Sequence, residues 1–90
     1  MTSTIARLES ARAYAASLEA VASAEVWVPS TEEIAEYAAD GSVAVPTLEI
    51  TVWRSERNPS DVVSRIEGFG LVRFGTGNGI KGPCYSFVAR

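Results

Sequence analysis

A chain of 90 residues with 47% hydrophobic and 21% charged residues has the composition of one small folded domain, which argues against a disordered chain. The formal net charge is −3, histidine is absent and Cys84 is the single cysteine. An intrachain disulfide and histidine-based catalytic or metal sites are therefore excluded. No apolar run approaches the ~20 residues that cross a bilayer, and no signal-like segment opens the sequence, so we expect a cytoplasmic protein without a membrane span.

The first part of the chain predicts a helix and then a strand. The stretch from Ser3 to about Ala24 lacks proline and glycine, and its apolar residues recur at helical spacing at Ile5, Leu8, Ala11, Ala15, Leu18 and Ala22. Residues 26–28 form a short β-prone run that ends at Pro29. We therefore expect a long first helix followed by a short first strand.

A second helix is predicted by the spacing of Ser30 and Glu33, which is that of a capping box. The helix is expected to continue to about Ala39 and to end before Gly41. We expect its inward side to be formed by Ile34, Tyr37 and Ala38.

The middle of the chain predicts a strand and a third helix. Val43 to Arg54 reads as extended, with a buried face formed by Leu48, Ile50 and Val52. Ser60 is then expected to cap a short helix that ends at Gly68 and carries Val62, Val63 and Ile66.

Two strands are predicted to close the chain, at Phe69–Phe74 and Cys84–Val88. The glycine-rich segment Gly75–Pro83 between them is expected to be a long hairpin loop. The resulting order, α-β-α-β-α-β-β, predicts a single α+β domain over residues 1–90. Its sheet would be antiparallel, with three to four strands and helices on one face.

The second helix carries the first candidate site, an acidic patch formed by Glu32, Glu33, Glu36 and Asp40. Glu36 has a like-charged residue four positions away on either side, and each such pair costs a few tenths of a kcal/mol. Asp40 also lies at the helix end where the dipole disfavours an anion. The patch therefore favours binding to a basic surface of a larger protein, and the alternative is a solvated face that keeps the protein soluble.

A second candidate contact region is formed by Trp53, Arg54 and Arg57. Trp53 is out of phase with the buried face of its strand, and one interpretation is that it is an exposed anchor of the kind found at binding hot spots. The alternative is that Trp53 packs beneath a helix.

Nucleic-acid binding is the alternative function that the cations suggest. From Thr51 onward six cations face three carboxylates, whereas the preceding residues have eight carboxylates and two arginines. A helix over residues 60–67 followed by a hairpin over residues 69–88 is the layout of a winged-helix reader. Its contacts to nucleic acid would be Arg65, Arg73 and Lys81. Asp61, Glu67 and the long strand before this helix weigh against it.

No residues suggest catalysis, a metal site or a cofactor. Residues 77–82 match the glycine pattern of dinucleotide-binding loops, but they lead into a strand, whereas pyrophosphate binding needs a helix that begins there. Cys84 has no histidine that would generate its thiolate.

The sequence therefore predicts a non-catalytic protein-binding module that acts by sterically occupying a larger partner with a basic surface. In size and charge alone such a module resembles phage-encoded inhibitors of bacterial defence nucleases, including anti-CRISPR proteins.

Overall fold

The computed structural model describes residues 3–90, and its helices and strands follow the expected order α-β-α-β-α-β-β. The helices are α1 (Thr4–Ala16), α2 (Thr31–Ala39) and α3 (Pro59–Glu67). The strands are β1 (Val21–Trp27), β2 (Thr47–Val52), β3 (Leu71–Asn78) and β4 (Pro83–Ala89). Over residues 3–90, none of the helices has the length and apolar content needed to cross a membrane.

The four strands form one antiparallel sheet in the order β1-β2-β4-β3, which confirms the predicted α+β fold. Helix α1 lies against β1, β2 and β4, and α3 lies against β3. The core lies between these two helices and the sheet, and its largest fully buried side chains are Phe87, Leu8, Leu48, Ile50, Ile66, Leu71 and Val52.

Helix α1 is shorter than predicted, and β1 is longer. The helix ends at Ala16 and β1 already begins at Val21, so the expectation of a helix to about Ala24 is wrong. Residues 21–27 pair with β2 with one irregularity between Val21 and Ser23. Pairing with β2 satisfies the backbone groups of this segment, and it outweighs the helical propensity of the alanines.

Helix α2 begins with the predicted capping box. Ser30 Oγ accepts a hydrogen bond from the Glu33 amide at 3.1 Å, and the Glu33 carboxylate accepts one from the Ser30 amide at 3.1 Å. The helix nevertheless buries none of its residues, and 48% of Ile34 and 42% of Tyr37 is exposed. The expectation that Ile34, Tyr37 and Ala38 face the core is wrong because α1 and α3 already cover that face of the sheet.

Because α2 buries none of its residues, the stability that its capping box contributes can be measured separately from that of the core. We expect Ser30→Ala to destabilise α2 by about 1 kcal/mol, because an amide at the helix start loses its partner. Since α2 contributes nothing to the core, the loss should appear as faster hydrogen exchange within α2, with little change in the free energy of global unfolding. Thr31→Ala, at the next exposed position, is the control. A global destabilisation of the same size would contradict this prediction.

The start of α3 and the terminal hairpin also differ from the prediction. Asn58 is the N-cap residue and Pro59 opens the helix, whereas Ser60 lies inside it and donates a hydrogen bond to Asn58 Oδ1 at 2.7 Å. Strand β3 continues to Asn78, so only residues 79–82 connect the two strands. The long loop expected over Gly75–Pro83 is wrong because its early glycines pair within the sheet.

Candidate binding surface

The face of the sheet that points away from α1 and α3 is the open face. Within residues 3–90 no helix packs closely along it. The register places Glu25, Glu49, Ser86 and Gly75 in one row across this face. The next row contains Ser23, Thr51, Cys84 and Gly77. Because side chains alternate between the two faces of a strand, the burial of Leu48 and Ile50 beneath the helices leaves these rows uncovered.

One end of the open face is an apolar groove of about 550 Å³, here called the aromatic groove. Its lining includes Trp27, Tyr37, Phe74, Val43, Val45, Val88 and Glu49. The rings of Trp27 and Tyr37 are tilted, with centroids 6.0 Å apart, so α2 contributes one wall of the groove. The exposed fraction is 37% for Trp27 and 61% for Phe74. Adjoining apolar side chains left exposed in this way are typical of an interaction site.

The charged strand side chains of the open face are carboxylates. Glu25 and Glu49 are directly opposite each other in the β1–β2 ladder, and both are exposed. Arg73, the only cation within the four strands, pairs with buried Phe87 and so belongs to the opposite face. In residues 3–90 the ion pairs are Arg12–Glu9 and Arg65–Asp61, so no cation of the described chain neutralises Glu25 or Glu49.

The acidic patch is on the helix that supplies Tyr37 to the aromatic groove. Glu32, Glu36 and Asp40 are exposed, and none of them forms an ion pair with another residue in the described range 3–90. Glu33 is partly buried, and its carboxylate accepts the hydrogen bond of the capping box. The patch and the groove are therefore joined through α2.

The residues of the second predicted contact region do not form one surface in the structure. Lys81 Nζ lies 5.7 Å from the ring centroid of Trp53, and the guanidinium of Arg54 donates to the Gly79 carbonyl at 2.9 Å. Trp53 and Arg54 thus hold the loop between β3 and β4. Arg57 instead lines a separate cleft of about 460 Å³ beside α3.

The cations assigned to nucleic-acid binding make separate sets of contacts. The Arg65 guanidinium lies 3.4 Å from the Tyr14 hydroxyl and 3.1 Å from Asp61, and these interactions raise the pKa of Arg65, with the Tyr14 hydrogen bond as the largest cause. Arg73 lines the cleft beside α3 and donates to Thr76 Oγ1 at 3.3 Å. Lys81 covers the Trp53 ring.

Sequence reasoning missed the open face as a candidate site. One signal was present, because Ser23, Glu25 and Trp27 alternate with the more buried Ala24 and Val26. This segment also continues the helical spacing of the apolar residues of α1, and that second pattern led to the prediction of a helix to about Ala24. Tyr37 and Phe74 had no comparable signal.

No group of three or more acidic or cysteine side chains is placed to hold a metal ion within residues 3–90. Comparison of the chain with protein-family models, with curated proteins and with solved structures gives no match.

Proposed function

We propose that the protein is a non-catalytic binding module that docks on a larger protein through its open face and acts by occupying that partner's surface. The aromatic groove carries this proposal. A sheet of this size normally buries one face and presents a polar face to water. Here one end of the otherwise polar outer face presents Trp27 and Phe74, and Tyr37 of α2 adjoins them. Aromatic side chains supply much of the binding energy at protein interfaces, particularly where a rim excludes water.

A basic partner surface is the chemistry that fits this face. The ladder contributes Glu25 and Glu49, and α2, which supplies Tyr37 to the groove, contributes Glu32, Glu36 and its C-cap Asp40. Carboxylates without internal cations steer association with a positive surface and select against acidic partners. A basic groove that holds nucleic acid is one such surface, and its occupancy would inhibit a nucleic-acid-handling defence complex in the manner of an anti-CRISPR protein.

The two tryptophans allow a direct test of this docking surface. Trp27 and Trp53 have similar exposed fractions, 37% and 41%, but only Trp27 lines the groove. The wild-type protein is first used to capture its partner from the native host. The dissociation constant of the purified pair is then measured for each variant. We expect Trp27→Ala to weaken binding by at least about 30-fold, as for a hot-spot residue, and Trp53→Ala to change it little.

The controls separate loss of binding from loss of folding. Circular dichroism checks both tryptophan variants, and Phe74→Ala repeats the test at a groove residue that is 61% exposed. Binding should also weaken as salt is raised, because the proposed contacts include exposed charges. Wild-type affinity in both Trp27→Ala and Phe74→Ala, or the absence of a stoichiometric protein partner, would overturn the proposal.

A further inference from the structure

We propose that the aromatic groove is a receptor for one arginine side chain of the partner, which lies along the exposed sides of the aromatic rings and reaches Glu49. This arginine would belong to the partner of the proposed function, on which the inference rests. Among residues 3–90, Glu49 is the only charged side chain in the groove lining, whose remaining residues are aromatic, aliphatic, Thr47 and Ser86. An apolar groove with a single carboxylate matches a ligand that has an apolar stem and a cationic end.

The ladder increases the negative charge at this place. Glu25 lies directly across from Glu49 on the neighbouring strand, where like charges destabilise a sheet. No arginine or lysine of the described residues 3–90 pairs with either carboxylate. A bound cation would relieve the repulsion between the two glutamates.

The aromatic residues select the form of the cation. A guanidinium is planar, stacks on aromatic faces and forms paired hydrogen bonds with a carboxylate, whereas an ammonium is a compact, strongly hydrated charge. Trp27 and Tyr37 pack against each other with ring centroids 6.0 Å apart, so a guanidinium would stack on the sides of these rings that remain exposed. The ring of the other tryptophan, Trp53, is already covered by a cation of the chain, because Lys81 Nζ lies 5.7 Å from its centroid. In residues 3–90 no cation of the chain occupies the corresponding place over Trp27.

The other residues of the groove lining determine which kind of partner residue can lie next to the arginine. Val43, Val45 and Val88 extend the lining beyond the two rings, and a volume of about 550 Å³ exceeds what one side chain fills. The partner segment is therefore expected to carry an apolar residue next to its arginine. The groove thus selects a short arginine-containing segment, whereas the carboxylates of α2 favour any basic surface.

The test uses the purified protein and a defined probe, so it does not require the partner. Nα-acetyl-arginine amide is titrated into the ¹⁵N-labelled protein, with Nα-acetyl-norleucine amide as an uncharged probe that keeps the stem and lacks the guanidinium. We expect the arginine probe to shift the Trp27 indole and the amides of Tyr37 and Glu49, and to leave the Trp53 indole unchanged. We expect Glu49→Gln to weaken this binding about fivefold or more, because it removes the charge-assisted hydrogen bonds.

A second measurement separates a binding role for Glu49 from a role in folding. Removing one member of the like-charged pair should raise the midpoint of thermal unfolding, so Glu49→Gln is expected to be the more stable protein while it binds the probe less well. Glu19→Gln is the matched control, because Glu19 is exposed and lies outside both the groove lining and the acidic patch. It should retain the affinity for the arginine probe.

The outcomes also distinguish this inference from the proposed function. Equal shifts by the arginine and norleucine probes, or equal arginine affinity of the wild type and Glu49→Gln, would overturn the arginine receptor. The proposed function would then still stand if Trp27→Ala loses the protein partner. Loss of probe binding in Glu49→Gln together with a lower unfolding midpoint would also overturn it, because the carboxylate would then support the fold.

Discussion

Phe87→Ala is expected to lower the free energy of unfolding by about 3–5 kcal/mol, the range for removal of a buried aromatic ring. Phe87 is fully buried on β4, an interior strand, and it pairs with Leu48 on β2 and Arg73 on β3. Its ring is the largest of the fully buried side chains. A small domain has a total stability of about 5–15 kcal/mol, so this one cavity removes a large share of it.

Phe74→Ala is the control for the Phe87 variant, because the chemical change is identical and only the environment differs. Phe74 is 61% exposed on the open face, so its replacement is expected to cost less than about 1 kcal/mol. Urea unfolding followed by circular dichroism measures both variants. Equal destabilisation of the two would mean that the open face is part of the folding core, contrary to the division described above.

Reversal of the acidic patch is expected to have the largest effect on function. The triple variant Glu32→Lys, Glu36→Lys, Asp40→Lys changes the charge of α2 by six units. A basic partner surface that attracts the wild type would then repel the variant, so the association rate should fall by at least about tenfold at low salt. The difference from the wild type should decrease as salt screens the exposed charges. Stopped-flow or surface plasmon resonance with the captured partner measures the association rate.

A second triple variant controls for net charge. Glu9→Lys, Glu19→Lys and Glu67→Lys make the same change, with Glu9 on α1 and Glu67 on α3, the helices that cover the other face. The ion pair that Glu9 forms with Arg12 is on the surface and contributes little. This control should retain most of the association rate. If both triple variants lose binding equally, the attraction depends on total charge and the acidic patch has no specific role.

The same α2 variant separates protein binding from the nucleic-acid alternative. Three added lysines should strengthen binding to duplex DNA if the cations of the C-terminal half already contact phosphates. Arg65, Arg73 and Lys81 instead make contacts to Tyr14 and Asp61, to Thr76 and to Trp53 within the chain. We therefore expect no retardation of DNA by the wild type at low salt.

Much of the fold follows from local patterns. The capping box at Ser30 and Glu33, the alternation of Leu48, Ile50 and Val52, and the β-prone ends of the terminal hairpin depend on neighbouring residues, and the structure confirms each of them. The element order and the antiparallel α+β architecture followed from these signals. The errors lie where two patterns overlap, as in residues 17–24, or where glycine continues a strand, as at Gly75 and Gly77.

The candidate surface was likewise predicted only where local patterns determine it. The acidic patch was predicted because residues three and four apart on a helix share a side, whatever the rest of the chain does. The place of Trp53 was only partly predicted. Its position outside the buried face follows from strand alternation, but its contact with Lys81 joins residues 28 positions apart, and local patterns do not encode such distances.

By itself the sequence determined the secondary-structure order, the fold class and the grouping of carboxylates on α2, because these depend on residues within a few positions of one another. Only the tertiary structure decided that Glu25 faces Glu49 and that Trp27, Tyr37 and Phe74 line one groove. Strand order and register bring these residues together from four separate elements. A shift of the register by one residue would turn each side chain of a strand to the opposite face, so the site depends on the packing of the whole sheet.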